Sequence, residues 1–103
     1  MVDEVRGHAL SVRVQAPNVD ELIVLPFGEE ALVFGRERGC DVVLPSSAVS
    51  RRHASVAYRE GKLEVRDLST HGTTVDGTLV HAGTVVVGER SELAMGPYFM
   101  SLK

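Results

Sequence analysis

Four short stretches of this 103-residue chain lie at predicted strand ends or in loops, and three of them carry side chains suited to binding an anion. They are Phe34-Gly35-Arg36, residues 40–45, Ser50-Arg51-Arg52-His53 and residues 67–73. Arg36 and Arg51 carry guanidinium forks that match the geometry of a phosphate group. Ser50 and Thr70 add hydroxyl groups, and glycine-flanked loops leave backbone N–H groups accessible. These residue types predict a phosphate-binding patch, provided that the fold brings the four stretches together.

Ser50, His53 and Asp67 are also the residue types of a hydrolase triad. A triad needs a specific geometry and an oxyanion hole, and residue order supplies neither. The sequence around Ser50 also lacks the pattern of a nucleophile elbow. We therefore expect a binding domain and not an enzyme.

A metal site is not expected either. The chain has four histidines, namely His8, His53, His71 and His81. No two of them have the His-x-x-x-His spacing that aligns ligands on a helix, and a structural zinc site normally needs four protein ligands. Cys40 is the single cysteine and is interpreted as a small buried hydrophobic residue. The sequence predicts no metal and no other cofactor.

Alternating apolar residues predict β-strands along most of the chain. In residues 10–16 the apolar side chains occupy every second position, which places them on one face of a half-buried strand. Residues 63–68 repeat this pattern after a Glu60-Gly61 turn. The other predicted strands are short and mostly valine-rich: residues 21–25, 31–34, 42–44, 54–58, 73–75, 78–80, 91–95 and 98–102.

Frequent glycine and proline residues interrupt any helix of ordinary length. Asp76-Gly77 is the strongest hairpin signal, because a two-residue type I′ turn needs positive φ at both of its residues. Many short strands separated by turns predict an all-β fold, a two-sheet antiparallel β-sandwich whose loops gather at the ends of the sheets. No repeat or linker divides the chain, so residues 1–103 are expected to form one domain.

The order and spacing of these motifs resemble the forkhead-associated (FHA) domain, a phosphothreonine-reading β-sandwich of the FHA/SMAD-like class. The resemblance covers about residues 32–96. It rests on Gly35-Arg36, Ser50-x-x-His53, residues 67–73 and the Asp76-Gly77 turn. Cys40-Asp41-x-x-Leu44 also follows the arginine at near-usual spacing.

The resemblance implies a role for each matching residue. Arg36 and Ser50 match the residues that contact the phosphate. Thr70 matches a threonine that contacts the phosphate beside the pocket for the threonine methyl group. Arg51 falls where family members place a residue that faces the phosphate or the peptide backbone.

Three further positions match residues that support the site. His53 corresponds to a scaffold residue whose hydrogen bonds hold neighbouring loops together. Gly35 and Gly72 correspond to positions that the backbone requires to be glycine. The resemblance therefore separates these three residues from those that touch the ligand.

Two positions depart from the family pattern. His71 stands where an asparagine usually bonds the peptide main chain, and an imidazole has a different reach and direction from an amide. We therefore expect His71 to contact the peptide with altered affinity or sequence preference. Asp76 replaces the asparagine of the downstream turn, and Asp-Gly still suits a type I′ turn.

Composition and charge exclude several classes of protein. The formal net charge of −3 gives no overall attraction for nucleic acid, which would show as a basic face. No apolar run approaches the roughly 20 residues needed to cross a bilayer. A single cysteine fits a reducing compartment better than a secreted scaffold. We expect a cytoplasmic domain whose partners include neither nucleic acid nor membrane.

The resemblance implies a non-catalytic interaction module for signal transduction by serine/threonine protein kinases. Its partners would be phosphothreonine-containing proteins or peptides, including such a kinase or its substrates. The alternative is a degenerate FHA-like scaffold that binds its partners independently of phosphorylation, and His71 is the residue that favours it.

Overall fold

The computed structural model describes residues 9–26, 30–88 and 90–102, and within these ranges it contains eleven strands. The strands are β1 (Ala9–Ala16), β2 (Val19–Pro26), β3 (Leu32–Gly35), β4 (Val42–Val43), β5 (Ala54–Arg59), β6 (Lys62–Asp67), β7 (Thr73–Val75), β8 (Thr78–Val80), β9 (Thr84–Val87), β10 (Glu92–Met95) and β11 (Tyr98–Leu102). They form one sheet in the order β2-β1-β11-β10-β7-β8 and another in the order β4-β3-β5-β6-β9. The predicted all-β sandwich is confirmed.

The core follows from the alternation in the sequence. Leu10, Val12 and Val14 on β1 are buried, and their polar neighbours on the strand are exposed or half-buried. Val56 and Val65 oppose each other on β5 and β6 of the second sheet and are also fully buried. Burying a valine or leucine side chain contributes about 1.5–3 kcal/mol relative to exposure, so these rows hold the sheets together.

The predicted two-residue turns are present where glycine signalled them. Asp76 and Gly77 have φ values of 49° and 84° and join β7 to β8, as a type I′ turn requires. Glu60 and Gly61 have φ values of 52° and 79° and join β5 to β6 in the same manner.

The structure differs from the sequence prediction in three places. Strand β9 was not predicted, because its consecutive valines hide the period of two. Strand β4 pairs with β3 in parallel, so the second sheet is not wholly antiparallel. Leu68 lies beyond β6 and is 42% exposed, although its apolar side chain fitted the strand pattern.

The register of the second sheet gathers three loops at one end. Phe34 pairs with Ala54, and Ala54 pairs with Asp67, so β3 ends where β5 begins and β6 ends. The loops that meet at this end are residues 36–41, 44–53 and 68–72. They contain the stretches singled out for phosphate binding. Among the described residues, no helix is long and apolar enough to cross a membrane.

Candidate phosphate-binding site

The three loops enclose an open groove of about 730 Å³ at the end of the sandwich. Its lining includes all five residues that were predicted to bind the phosphopeptide: Arg36, Ser50, Arg51, Thr70 and His71. The three predicted support residues, Gly35, His53 and Gly72, belong to the same loops or the strand end that feeds them. The fold thus brings together residues that are up to 35 positions apart along the chain.

Arg36 is held in place by two hydrogen bonds to the loop that follows β4. Its backbone N–H donates to the Ser50 carbonyl oxygen at 3.0 Å. Its side-chain Nε donates to the Val49 carbonyl oxygen, also at 3.0 Å. The two terminal amino groups donate to no described residue, so the guanidinium is oriented by the protein and still has donors for an anion.

Ser50 is positioned from both of its neighbouring loops. Its backbone N–H donates to His53 Nδ1 at 3.0 Å, and its Oγ accepts a hydrogen bond from the Thr70 backbone N–H at 3.3 Å. Because the hydroxyl oxygen is the acceptor in that contact, the hydroxyl hydrogen remains able to donate to a ligand. Ser50 can therefore brace the third loop and bind an anion at the same time.

His53 joins the second and third loops to the end of β3 and is only 3% exposed. Its Nδ1 accepts from Ser50, so its Nε2 carries the hydrogen and donates to the Gly72 carbonyl oxygen at 3.0 Å. Its backbone bonds Phe34 and Leu68 at 2.7 and 2.8 Å. Burial lowers the pKa of His53, although the Gly72 carbonyl and the Asp67 carboxylate oppose that effect. The neutral form that this hydrogen-bond pattern needs is thereby favoured.

Asp67 organises the loop that carries Thr70. Its Oδ1 accepts hydrogen bonds from the Ser69 hydroxyl, the Ser69 backbone N–H and the Thr73 hydroxyl at 2.6, 3.2 and 2.8 Å. Its Oδ2 accepts from the Ala82 backbone N–H at 2.8 Å. Burial alone would raise the pKa of Asp67, but these hydrogen bonds outweigh it and hold the pKa below the ordinary value. The residue is therefore a buried, fully bonded carboxylate.

Sequence reasoning assigned no supporting role to Asp67 or to His81. The Asp-x-Ser spacing of Asp67 and Ser69 is the signal that was available, because such pairs form local side-chain turns. His81 Nε2 lies 3.0 Å from the Thr70 carbonyl oxygen and braces the same loop. No local pattern signals this second contact, because it depends on the path of the chain after β8.

The loop between β3 and β4 is fastened by its own side chains. Asp41 Oδ2 accepts a hydrogen bond from the Val33 backbone N–H at 2.8 Å. Cys40 is buried, and its Sγ lies 3.2 Å from the Arg51 carbonyl oxygen, to which it donates. Burial raises the pKa of the Cys40 thiol. Cys40 is therefore a buried thiol, as the sequence interpretation held.

Two glycines allow the loops to approach this closely. A Cβ at Gly35 would overlap the Arg51 carbonyl oxygen and lie 2.9 Å from the Arg52 Cα. Gly72 has a φ of 105°, and a Cβ there would lie 2.7 Å from a methyl carbon of Leu79. Gly35 is required because backbone atoms leave no room for a Cβ, whereas Gly72 is required mainly for its backbone conformation.

We expect Gly35→Ala to destabilise the fold and to disturb the groove. The added methyl must push back the backbone of Arg51 and Arg52, and such overpacking costs about 1–3 kcal/mol or more. Gly39→Ala is the matched control, because a Cβ at Gly39 meets no atom within 4 Å. Chemical denaturation of both variants measures the difference. Equal midpoints for the two variants would contradict the close packing of Gly35.

The groove is cationic although the chain as a whole is acidic. Arg36, Arg51 and Arg52 line it, and its lining contains no aspartate or glutamate. The two ion pairs found in the described part of the chain, Arg13–Asp20 and Arg59–Glu64, involve no residue of the groove lining. His71 is exposed at the rim and forms no polar contact with any described residue. The arrangement can therefore neutralise an anion without first breaking an internal ion pair.

Other ligand classes find less support at this site. Residues 9–26, 30–88 and 90–102 contain no group of three or more histidine, cysteine, aspartate or glutamate residues that could hold a metal ion. Ser50 and His53 are close, but the contact runs from the serine backbone N–H to the ring and not from its hydroxyl. The observed geometry is that of a cationic groove braced by a buried histidine.

Comparison with known proteins identifies relatives at the level of sequence and of fold. The family model of the FHA domain matches residues 32–96. A probable serine/threonine-protein kinase of Dictyostelium discoideum is 31% identical over 64 residues. That match covers 53% of this chain and only 11% of the kinase.

Solved structures share the fold at low sequence identity. An FHA domain from Chlamydia trachomatis superposes with a TM-score of 0.78 and 21% identity, covering 92% of this chain and 96% of that one. The N-terminal FHA domain of Rad53 from S. cerevisiae, in complex with a phosphothreonine peptide, superposes with a TM-score of 0.80 and 20% identity. That match covers 92% of this chain and 91% of the Rad53 domain.

Proposed function

The chain belongs to the FHA-domain family, and from that premise we propose that it binds phosphothreonine-containing segments of partner proteins without catalysing a reaction. One observation carries this proposal. The groove brings Arg36, Ser50 and Arg51 together, holds the first two by hydrogen bonds, and contains no carboxylate in its lining. Such a groove offers fixed donors to a dianion.

In the proposed complex, each groove residue has a distinct part. The terminal amino groups of Arg36 donate to two phosphate oxygens, and the Ser50 hydroxyl donates to a third. Arg51 adds a second guanidinium from the loop that also carries Ser50. This side chain is exposed at the rim of the groove. Thr70 stands across the groove beside the threonine methyl group. The protein has ordered these donors beforehand, so binding costs less conformational entropy.

Phosphorylation would supply most of the binding energy in this arrangement. A phosphothreonine carries a charge of about −1.5 to −2 at pH 7, and charge-assisted hydrogen bonds are roughly twice as strong as neutral ones. An unphosphorylated threonine would offer the three cationic side chains no charge to neutralise. The proposed partners are therefore serine/threonine kinases or their substrates, and the kinase relative supports that choice.

His71 is the residue on which the rival proposal depends. It lies at the rim of the groove with both ring nitrogens free of described partners. In our proposal it contacts the main chain of the bound peptide. If its imidazole cannot replace an amide there, the groove would hold a partner independently of phosphorylation or not at all.

Calorimetric titration with three degenerate peptide pools separates these proposals. The pools differ only at a fixed central residue, which is threonine, phosphoserine or phosphothreonine. We expect heat of binding with the phosphothreonine pool, weaker binding with phosphoserine, and none with threonine. Equal binding of the threonine and phosphothreonine pools would support the phosphorylation-independent scaffold and contradict our proposal.

A further inference from the structure

Strand β2 is the longest edge strand in the described part of the chain. It forms one edge of the six-stranded sheet and has eight residues, all paired on one side with β1. The other three edge strands are β8, β4 and β9, which have three, two and four residues. Short edges resist pairing with other chains, whereas a long one leaves a row of free N–H and C=O groups.

The middle of β2 has a sequence typical of an interior strand, and the residues typical of an edge, Asp20, Glu21 and Pro26, lie outside it. Leu22, Ile23, Val24 and Leu25 form an unbroken apolar run. Leu22 and Val24 are 58% and 59% exposed on the outer face of the sheet, whereas Ile23 and Leu25 pack partly against the core. The neighbouring strand β1 lies inside the sheet and yet alternates polar and apolar residues. Continuous apolar runs are typical of strands that are covered on both faces and paired on both edges.

We propose that β2 pairs antiparallel with β2 of a second copy of this chain, about a two-fold axis at Ile23. In this register Leu22 of each copy lies opposite Val24 of the other, so the four exposed apolar side chains form one cluster. Ile23 lies opposite Ile23 on the inner face. The two six-stranded sheets then become one continuous sheet of twelve strands.

Charge and apolar matching together select this register, because an axis at Leu22 would place Asp20 opposite Val24 and an axis at Val24 would place Leu22 opposite Pro26. Successive residues of a strand point to opposite faces of the sheet. Two opposed residues therefore lie on the same face only if their residue numbers are both even or both odd. With the axis at Ile23, Glu21 lies opposite Leu25 and Asp20 lies opposite Pro26, so no two carboxylates face each other. An axis at Glu21 would place that carboxylate against itself, which destabilises a strand pair. Asp20 is already paired with Arg13 at 2.8 Å, so its charge is compensated within each copy.

The dimer would leave the groove open, because β2 contributes no residue to its lining. Each copy would bring one groove, so the assembly would be bivalent. This consequence rests on the proposed function, but the pairing of β2 does not. A bivalent domain would bind a partner with two phosphorylated segments more tightly than either groove binds one segment.

Sedimentation equilibrium over a range of concentrations tests the pairing without any ligand. We expect the native chain to form a dimer whose population rises with concentration. Leu22→Lys combined with Val24→Lys should raise the dimer dissociation constant at least about tenfold, because four lysines would meet in the apolar cluster. Val86→Lys is the matched control, since Val86 is 54% exposed on the edge strand β9 of the other sheet. It should leave the dissociation constant unchanged.

Disulfide cross-linking tests the register separately. Opposed residues of antiparallel strands have Cα atoms about 4.5–5.5 Å apart, within the range of a disulfide. A chain with Leu22→Cys mixed with an affinity-tagged chain with Val24→Cys should give a cross-linked heterodimer on mild oxidation. Leu22→Cys alone should cross-link far less, because its two cysteines lie diagonally across the pair.

The outcomes of these two experiments decide the proposal. A native chain that stays monomeric at every concentration would overturn the proposed β2 pairing. This holds equally if another segment of the same chain covers β2. A dimer that the double lysine variant leaves intact would also overturn it. Thermal unfolding shows whether the lysine variant is folded, and the cross-linking result stands without that variant. Because no step uses a phosphopeptide, failure here would leave the proposed function untouched.

Discussion

Arg36→Ala is expected to weaken the binding of a phosphothreonine peptide at least about 100-fold. The guanidinium is fixed by its Nε contact with the Val49 carbonyl oxygen, and its two terminal amino groups are aimed by that contact. Each hydrogen bond to a charged group contributes about 1.5–3 kcal/mol, so losing two of them accounts for a loss of this size. Calorimetric titration of the native and variant chains with one binding peptide measures it.

Arg66→Ala is the matched control for this prediction. Arg66 is exposed on β6 and does not line the groove, so its removal changes the net charge by the same amount without removing a donor to the phosphate. We expect a change of less than about threefold, because exposed charges are screened by salt. Similar losses in the two variants would show that overall charge, and not the groove, binds the peptide.

Asp67→Ala is expected to lower the free energy of unfolding by about 3–5 kcal/mol. The carboxylate accepts four hydrogen bonds, and its loss leaves the buried Thr73 hydroxyl and the partly buried donors of Ser69 and Ala82 without that partner. A hydrogen bond to a charged group contributes about 1.5–3 kcal/mol, and a buried donor left unpaired costs about 1–3 kcal/mol, so loss of the network accounts for a change of this size. Urea denaturation of both chains at neutral pH measures the change.

The contribution of Asp67 also depends on pH in a defined direction. The pKa of Asp67 in the folded chain lies below the ordinary value. At pH values between the folded and unfolded pKa, the unfolded chain therefore binds more protons than the folded chain. The stabilisation is therefore complete above the unfolded pKa of about 4 and is lost as the pH falls through the folded pKa. The stability gap between the native chain and Asp67→Ala should narrow below about pH 4.

Asp20→Ala is the control for Asp67. Asp20 also accepts a hydrogen bond from another side chain, that of Arg13, but both side chains of the pair are about half exposed. Exposed ion pairs contribute about 0–1 kcal/mol, so this variant should be nearly as stable as the native chain. Two outcomes would contradict the role assigned to the buried network. One is an equal loss of unfolding free energy in Asp67→Ala and Asp20→Ala, and the other is a stability difference between the native chain and Asp67→Ala that does not change with pH.

The sequence was sufficient to predict most of the fold because its strands alternate and its turns carry glycine. The Asp76-Gly77 hairpin and the Glu60-Gly61 turn were predicted from their turn residues and the strand patterns beside them. Strand β9 was missed because polar and apolar residues do not alternate in its run of three valines, residues 85–87. The parallel pairing of β3 with β4 also has no local signal, since it depends on where a two-residue strand lies in the finished sheet.

The site was predictable to a different extent. Residues such as Arg36 and Ser50 were identified by type and order, and the loops bring them into one groove. Asp67 was not given a role, because a carboxylate near the end of a strand is usually solvated, and only the structure shows its four partners. In the same way, residues 21–25 were predicted as a strand, but their position at the edge of a sheet follows from topology and not from pattern.

Mapping of backbone amide shifts by NMR shows whether the groove binds a phosphothreonine peptide. The chain, labelled with nitrogen-15, is titrated first with the phosphothreonine peptide pool and then with the matched threonine pool. We predict that only the phosphothreonine pool shifts amide signals, and that the shifted amides cluster at residues 36, 50–53 and 69–72. Shifts that cluster elsewhere, or that the threonine pool reproduces, would contradict the account of a phosphothreonine-binding groove.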